Sequence, residues 1–132
     1  MFTTNLRVNF YDCDPAGILF FANLFKFAHT GYEQMLESFN LKINFFNDEK
    51  YVLPIITSYA KFIKPIKAGD RLDLTILVSN LKDSSFELSY TFFHNNDVLA
   101  EVKTVHVCVD KNGFKKIELP SSFKVALQSN LS

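Results

Sequence analysis

The amino-acid sequence predicts an α+β fold, with one long helix packed on an antiparallel sheet. Three observations predict it. A single amphipathic helical period occupies about residues 20–39, runs rich in Val, Ile, Thr, Tyr and Phe fill residues 51–110, and one short alternating segment precedes the helix. One strand, one helix and then four long strands is the order of an antiparallel sheet with a helix on one face. A chain of 132 residues has room for one hydrophobic core, so residues 1–132 are expected to form a single domain.

The first element is a short half-buried strand at residues 4–10, where Leu6, Val8 and Phe10 alternate with polar residues. Residues 11–17 (YDCDPAG) follow as a loop, punctuated by Pro15 and Gly17. In the helix, Phe21, Leu24, Phe25, Ala28, Tyr32, Met35, Leu36 and Phe39 make the apolar stripe, and Lys26, Thr30, Glu33, Gln34 and Glu37 lie mostly off it. Gly31 costs this helix roughly 1 kcal/mol relative to Ala, which close packing against a sheet would explain. Strands are expected at residues 51–63, 70–80, 84–94 and 97–110, with turns at 67–70, 82–85 and 95–97, the last two reading as hairpins. Leu72, Leu74, Ile76 and Val78 share one face; so do Val98, Ala100, Val102, Thr104, His106 and Cys108. The last 20 residues carry no clear period. One helix on a curved sheet of five to six strands is the hot-dog arrangement. Its open edges call for pairing between subunits, so a homodimer or homotetramer is expected.

Composition narrows the function. Fourteen Lys and Arg balance fourteen Asp and Glu, and zero net charge argues against nucleic acid as a partner. With 48% hydrophobic and 21% charged residues the composition is globular. Fifteen Phe and no Trp indicate an aromatic core or a cavity for an apolar ligand. The most apolar stretch, residues 16–28, is too short and too interrupted to span a membrane. The N-terminus lacks a secretory pattern, so the cytoplasm is the expected location. Cys13 and Cys108 make no disulfide framework, and no spacing suits zinc; neither metal nor cofactor is expected.

The chemistry-bearing candidate is the loop before the helix. Two aspartates, Asp12 and Asp14, stand beside a helix N-terminus. Helix capping or an Asx-turn accounts for such residues in most proteins. The catalytic alternative uses the unpaired N–H groups and partial positive charge of the helix start to polarise a carbonyl. A carboxylate held opposite then attacks that carbonyl or activates water.

The segment VNFYDCDPAGILFFAN (residues 8–23) resembles the signature of the 4-hydroxybenzoyl-CoA thioesterase family, hot-dog acyl-CoA hydrolases. The pattern is an aspartate pair in D-x-D-x-x-G, an aliphatic pair, an aromatic pair and a nearby Asn. It is dense and ungapped over about residues 8–36, and the strand pattern extends it to about residue 110. The resemblance implies an acyl-CoA substrate cleaved to free acid and CoA. It makes Asp14 the catalytic carboxylate, as nucleophile or general base, and Phe21 the residue whose backbone N–H polarises the thioester carbonyl. Asp12 matches the member of the pair that braces the loop. Asp12, Pro15, Gly17, Phe20 and Asn23 are then expected to line the substrate, and Lys61 and Lys64, near Lys67 and the Pro65 turn, to reach the CoA phosphates. Lys111, Lys115 and Lys116 form a second cluster that could do so.

One branch of the family has Tyr four residues before the catalytic Asp and His seven after, where this chain has Phe10 and Phe21. The D-P-A-G-I form is similar to the aryl-CoA branch instead. His29, Tyr32 and Glu33, spaced H-x-x-Y-E, are similar to 1,4-dihydroxy-2-naphthoyl-CoA hydrolases. A bulky or aromatic acyl group is the implication. A hydratase is disfavoured because residues 15–28 hold no His. A module that binds acyl-CoA or an apolar ligand without cleaving it is the alternative. Cys13 between two carboxylates makes a poor nucleophile. His29 and Glu33 read as a helix-surface pair, His94 as solvated and His106 as a satisfied inner residue.

Overall fold

The computed structural model of the protein describes residues 1–131. Strands β1 (Phe2–Arg7), β3 (Ile55–Phe62), β4 (Arg71–Leu81), β5 (Ser85–His94) and β6 (Asp97–Val107) form one antiparallel sheet in the order β1-β4-β5-β6-β3. Helix α1 (Asn23–Ser38) crosses one face. Strands β2 (Tyr51–Val52) and β7 (Val109–Asp110) pair separately, and helix α2 (Ser121–Gln128) closes the described chain. This is the α+β hot-dog arrangement, with two helices where the sequence pattern predicts one.

Period-two alternation builds the core. Leu72, Leu74, Ile76 and Val78 of β4 are all fully buried, as are Leu88 and Phe92 of β5 and Ala100 and His106 of β6. Against them α1 sets Leu24, Phe27, Ala28, Gly31, Tyr32 and Met35. A Cβ at Gly31 would collide with the Leu74 side chain and come within 3.2 Å of Ile76 Cδ1. The glycine therefore lets α1 lie close on β4, which outweighs its poor helix propensity. Two hairpins form where expected. Lys82 N donates to Ser85 O at 2.8 Å. The two-residue connection Asn95-Asn96 has positive φ at both positions, 49° and 70°, the geometry that matches strand twist.

The departures have local causes. The first strand ends at Arg7. Phe10 enters a single 3₁₀ turn (Phe10–Asp12) capped by Asn9 and is 82% exposed. Helix α1 starts at Asn23, later than residue 20, because Leu19 N donates to Ile66 O and Phe20 N to Asp12 O, holding residues 19–20 in a non-helical course. Phe21 consequently leaves the buried stripe and is 64% exposed, while Phe27 and Gly31 join it. The run 51–63 divides at Pro54, which has no N–H for a ladder; its carbonyl accepts from Val107 N. The run 97–110 divides at Cys108, whose N–H turns to Ser84 O. In α2, Phe123 and Leu127 are fully buried one turn apart. The Phe123 ring meets Phe45 at 4.6 Å, Phe86 at 5.4 Å and Phe39 at 6.2 Å.

Candidate active site

The loop between β1 and α1 is a small closed structure. Asp14 N donates to Ile18 O and Gly17 N to Asp14 O, each at 2.9 Å, and Cys13 bridges Leu19. Gly17 sits at φ +77°, a backbone conformation that favours glycine. Asp14 Oδ1 accepts from Ala16 N at 2.9 Å and Ile18 N at 3.4 Å. This is the Asx-turn weighed as an alternative to catalysis. The two roles use different atoms. Among the described residues no protein donor bonds Oδ2, and Asp14 is half-buried.

Asp12 is buried, and its carboxylate accepts from Asn9 N at 2.8 Å. Its carbonyl accepts from Phe20 N at 3.0 Å and from Asn23 Nδ2 at 2.8 Å. Asn23 is the first residue of α1, so Asp12 and Asn23 fasten the aspartate loop to the helix start. Asn23 N and Leu24 N turn back to Phe20 O and Phe21 O. Among the described residues, no protein acceptor takes the Phe21 N–H, which stands where the helix end is electropositive.

Phe20 and Phe21 stack obliquely, with centroids 5.0 Å apart. Phe21 lines a groove of about 350 Å³ with Ile18, Leu19, Phe62, Ile63, Lys64 and Pro65. Lys64 thus reaches the groove, though its Nζ lies 3.4 Å from Asp97 Oδ2. Lys61 is exposed on β3. Pro15 is exposed at the loop tip. The Cys13 thiol is pushed up by burial and then by the charges of Asp12, Asp14 and Asp70, the wrong direction for a nucleophile.

A second groove, of about 310 Å³, runs between α1 and β3, lined by Phe25, Ala28, His29, Ile55, Ser58, Tyr90 and Thr104 among others. Tyr90 and Thr104 escape sequence reasoning, since both read as ordinary inward positions. Behind them His106 is fully buried. Its Nε2 meets Thr104 Oγ1 at 2.8 Å, but its Nδ1 has no partner among the described residues, so it is half satisfied. His29 Nε2 and Glu33 Oε2 are 3.4 Å apart on the exposed side of α1. His94 is not simply solvated. Its ring bonds Arg71 O at 3.0 Å and lies 3.8 Å from Asp70 Oδ1, because antiparallel pairing of β5 with β4 sets the end of β5 beside the start of β4. Lys111 of the second cluster donates to Asp48 O at 3.3 Å.

This architecture is that of the hot-dog fold. Residues 8–127 match the thioesterase-like superfamily, and the chain belongs to it. A 1,4-dihydroxy-2-naphthoyl-CoA hydrolase of Microcystis aeruginosa is 36% identical over 114 residues, covering 86% of this chain and 83% of the relative. Its counterpart in Nostoc punctiforme is 35% identical over 131 residues, covering 98% and 88%. The crystal structure of a 1,4-dihydroxy-2-naphthoyl-CoA thioesterase from Synechocystis superposes with a TM-score of 0.90 at 28% identity, covering 96% of this chain and 95% of that one. The chain is a thioester hydrolase.

Proposed function

We propose that this chain hydrolyses a bulky, aromatic acyl-CoA to the free acid and CoA, with Asp14 as the catalytic carboxylate and the Phe21 N–H polarising the thioester carbonyl. The observation that carries the reading is the pinned loop. Asn23 and Phe20 tie Asp12 to the start of α1, while among the described residues Asp14 Oδ2 and the Phe21 N–H have no protein partners. A carbonyl oxygen held by that N–H gains stabilisation as negative charge develops on it. Asp14 then acts in one of two balanced ways. As nucleophile it forms an acyl anhydride, expels the CoA thiolate and is freed by water. As base it takes a proton from a water that attacks the carbonyl, and the tetrahedral intermediate collapses with loss of the thiolate. The curated relatives, named for a bicyclic aryl-CoA, support an aromatic acyl group.

Asp12, Pro15, Gly17, Phe20 and Asn23 shape the loop on which the substrate lies, and Lys61 and Lys64 meet the CoA phosphates. The working unit is a homodimer or homotetramer of single-domain chains, acting in the cytoplasm. No helix of the described residues is long and apolar enough to cross a membrane. The test is thiol release from benzoyl-, naphthoyl- and aliphatic acyl-CoAs by wild type and Asp14→Asn. Asn keeps an oxygen for the Ala16 and Ile18 amides, so the loop persists, and the expected loss is about 10²–10⁴-fold in kcat with ligand binding retained. Turnover within a few fold of wild type would remove Asp14 from the mechanism.

A further inference from the structure

The floor of the groove between α1 and β3 carries a buried polar chain that the hydrolytic chemistry does not use. Tyr90 Oη and Thr104 Oγ1 are 2.9 Å apart, and Thr104 Oγ1 and His106 Nε2 are 2.8 Å apart. His106 is stacked flat on Phe86 at 4.6 Å with 5° between the planes, and Tyr32 covers it at 4.6 Å. Its Nδ1 has no partner among the described residues. Tyr90 and Thr104 are 2% and 5% exposed, and both line the groove.

Proton counting gives the chain a polarity. Burial holds the imidazole neutral, with its pKa pulled down to about 3. A buried N–H without a partner is costlier than a bare ring lone pair, so the proton sits on Nε2 and is donated to Thr104 Oγ1. The chain then holds three donors, Nε2–H and two hydroxyls, and only two internal hydrogen bonds. One O–H is left over, on Tyr90 or on Thr104 according to which way their shared bond runs. Both residues line the groove, so in either arrangement a ligand seated there can accept that O–H.

The rest of the lining is mixed: Phe25, Ala28 and Ile55 offer apolar surface to a ring, and Lys26, His29 and Ser58 are polar. The groove runs beside the first two turns of α1, and His29 stands about 9 Å along the helix axis from Asn23, at 1.5 Å per residue. An aromatic acyl group lying here with its thioester at the start of α1 extends its ring toward the polar floor. We propose, resting on the aryl-CoA reading above, that Tyr90 and Thr104 select an acyl ring bearing an oxygen substituent, their spare O–H donating to that oxygen. His106 is a positioning residue, because it fixes the direction of the chain without touching the ligand. A site built to hydrogen-bond an oxygen discriminates strongly against the analogue lacking it, since the buried donor is otherwise stranded.

The experiment compares 1,4-dihydroxy-2-naphthoyl-CoA with 2-naphthoyl-CoA, as kcat/KM by thiol release and as affinity by calorimetry. The proteins are wild type, Tyr90→Phe, Thr104→Val and Thr104→Ser, with circular dichroism checking the fold. Wild type is expected to favour the hydroxylated ester at least 10-fold. Thr104→Val and Tyr90→Phe are expected to reduce that ratio by about 10-fold, and Thr104→Ser, which keeps the hydroxyl, to retain it. A purely structural role for these hydroxyls would lower both esters together and leave the ratio where it was, which would overturn the proposal. So would a wild type indifferent to the ring oxygens. If neither ester is cleaved, the hydrolase reading fails separately. The two affinities then decide the proposal alone, equal values overturning it.

Discussion

His106 couples the floor of the groove to the stability of the fold. The imidazole titrates at 6.5 when free and at about 3 in the folded protein, through burial first and the nearby charge of His29 second. Its folded pKa is depressed, so on acidification the unfolded chain takes up the proton first. The stability that goes with the neutral ring is intact above about pH 6.5 and is lost as pH falls toward 3. Between pH 7 and pH 4.5 this one residue removes about 2–3 kcal/mol. Urea unfolding at the two pH values measures it. Wild type is expected to lose that much more stability on acidification than His106→Gln, whose amide does not titrate. Equal losses in the two proteins would mean that His106 is not the source. The alternation of His106 with core residues reveals from sequence alone that it points inward. Its partner Thr104 lies two residues earlier on the same face, but the link from Thr104 on to Tyr90 is not legible, because it depends on a β5–β6 register no local pattern encodes. The same holds for Asp14. The motif marks it, but only the folded loop shows that one oxygen holds a turn and leaves the other without a protein donor among the described residues.

At the scale of elements, legibility follows the strength of the local period. The face Leu72, Leu74, Ile76 and Val78 is plain in the sequence and fully buried in the fold. The hairpin at Asn95-Asn96 is equally plain, because Asn tolerates positive φ. Where apolar residues run together, as in Tyr51-Val52-Leu53-Pro54-Ile55-Ile56, a break is hidden: β2 and β3 lie in different sheets. Helix α2 is hidden for a different reason. Its eight residues offer one buried pair, Phe123 and Leu127, too few repeats to distinguish a period. That pair nonetheless seals an aromatic cluster. Phe123 is fully buried and meets rings from the α1 end, the following loop and β5. Phe123→Ala leaves a cavity that those rings fill only in part, and the expected cost is about 3–5 kcal/mol. It is read as a lowered urea midpoint with an unchanged slope. A loss below 1 kcal/mol would mean that α2 is an ornament on a core that closes without it.

At the scale of the whole molecule, the two edges of the sheet differ. β1 turns Thr3, Asn5 and Arg7 outward, a polar edge that resists pairing. β3 exposes Ile55, Ile56, Tyr59 and Phe62, and Ile63 follows at its end. An edge strand of eight residues with that much exposed apolar surface is a template for another strand. The occupant that the proposed homodimer would supply is a second β3, since antiparallel pairing about a two-fold axis sets the same patch against itself. The consequence for activity is specific. Ile55 and Ser58 line the groove beside α1, and Phe62 and Ile63 line the groove beside Phe21. Both grooves are therefore open on the side that a second copy would cover. A monomer would leave the acyl group exposed to water, and burial of the ligand is what makes polar contacts in such a site strong. Wild type is expected to sediment at twice or four times the chain mass, and Ile56→Lys with Tyr59→Lys at the chain mass. The doubly substituted protein should keep its circular dichroism but lose at least 10-fold in kcat/KM. Dilution of the wild type through its dissociation constant should lower activity per chain in parallel. A fully active wild-type monomer would show that each chain closes its own site and that β3 pairs with nothing.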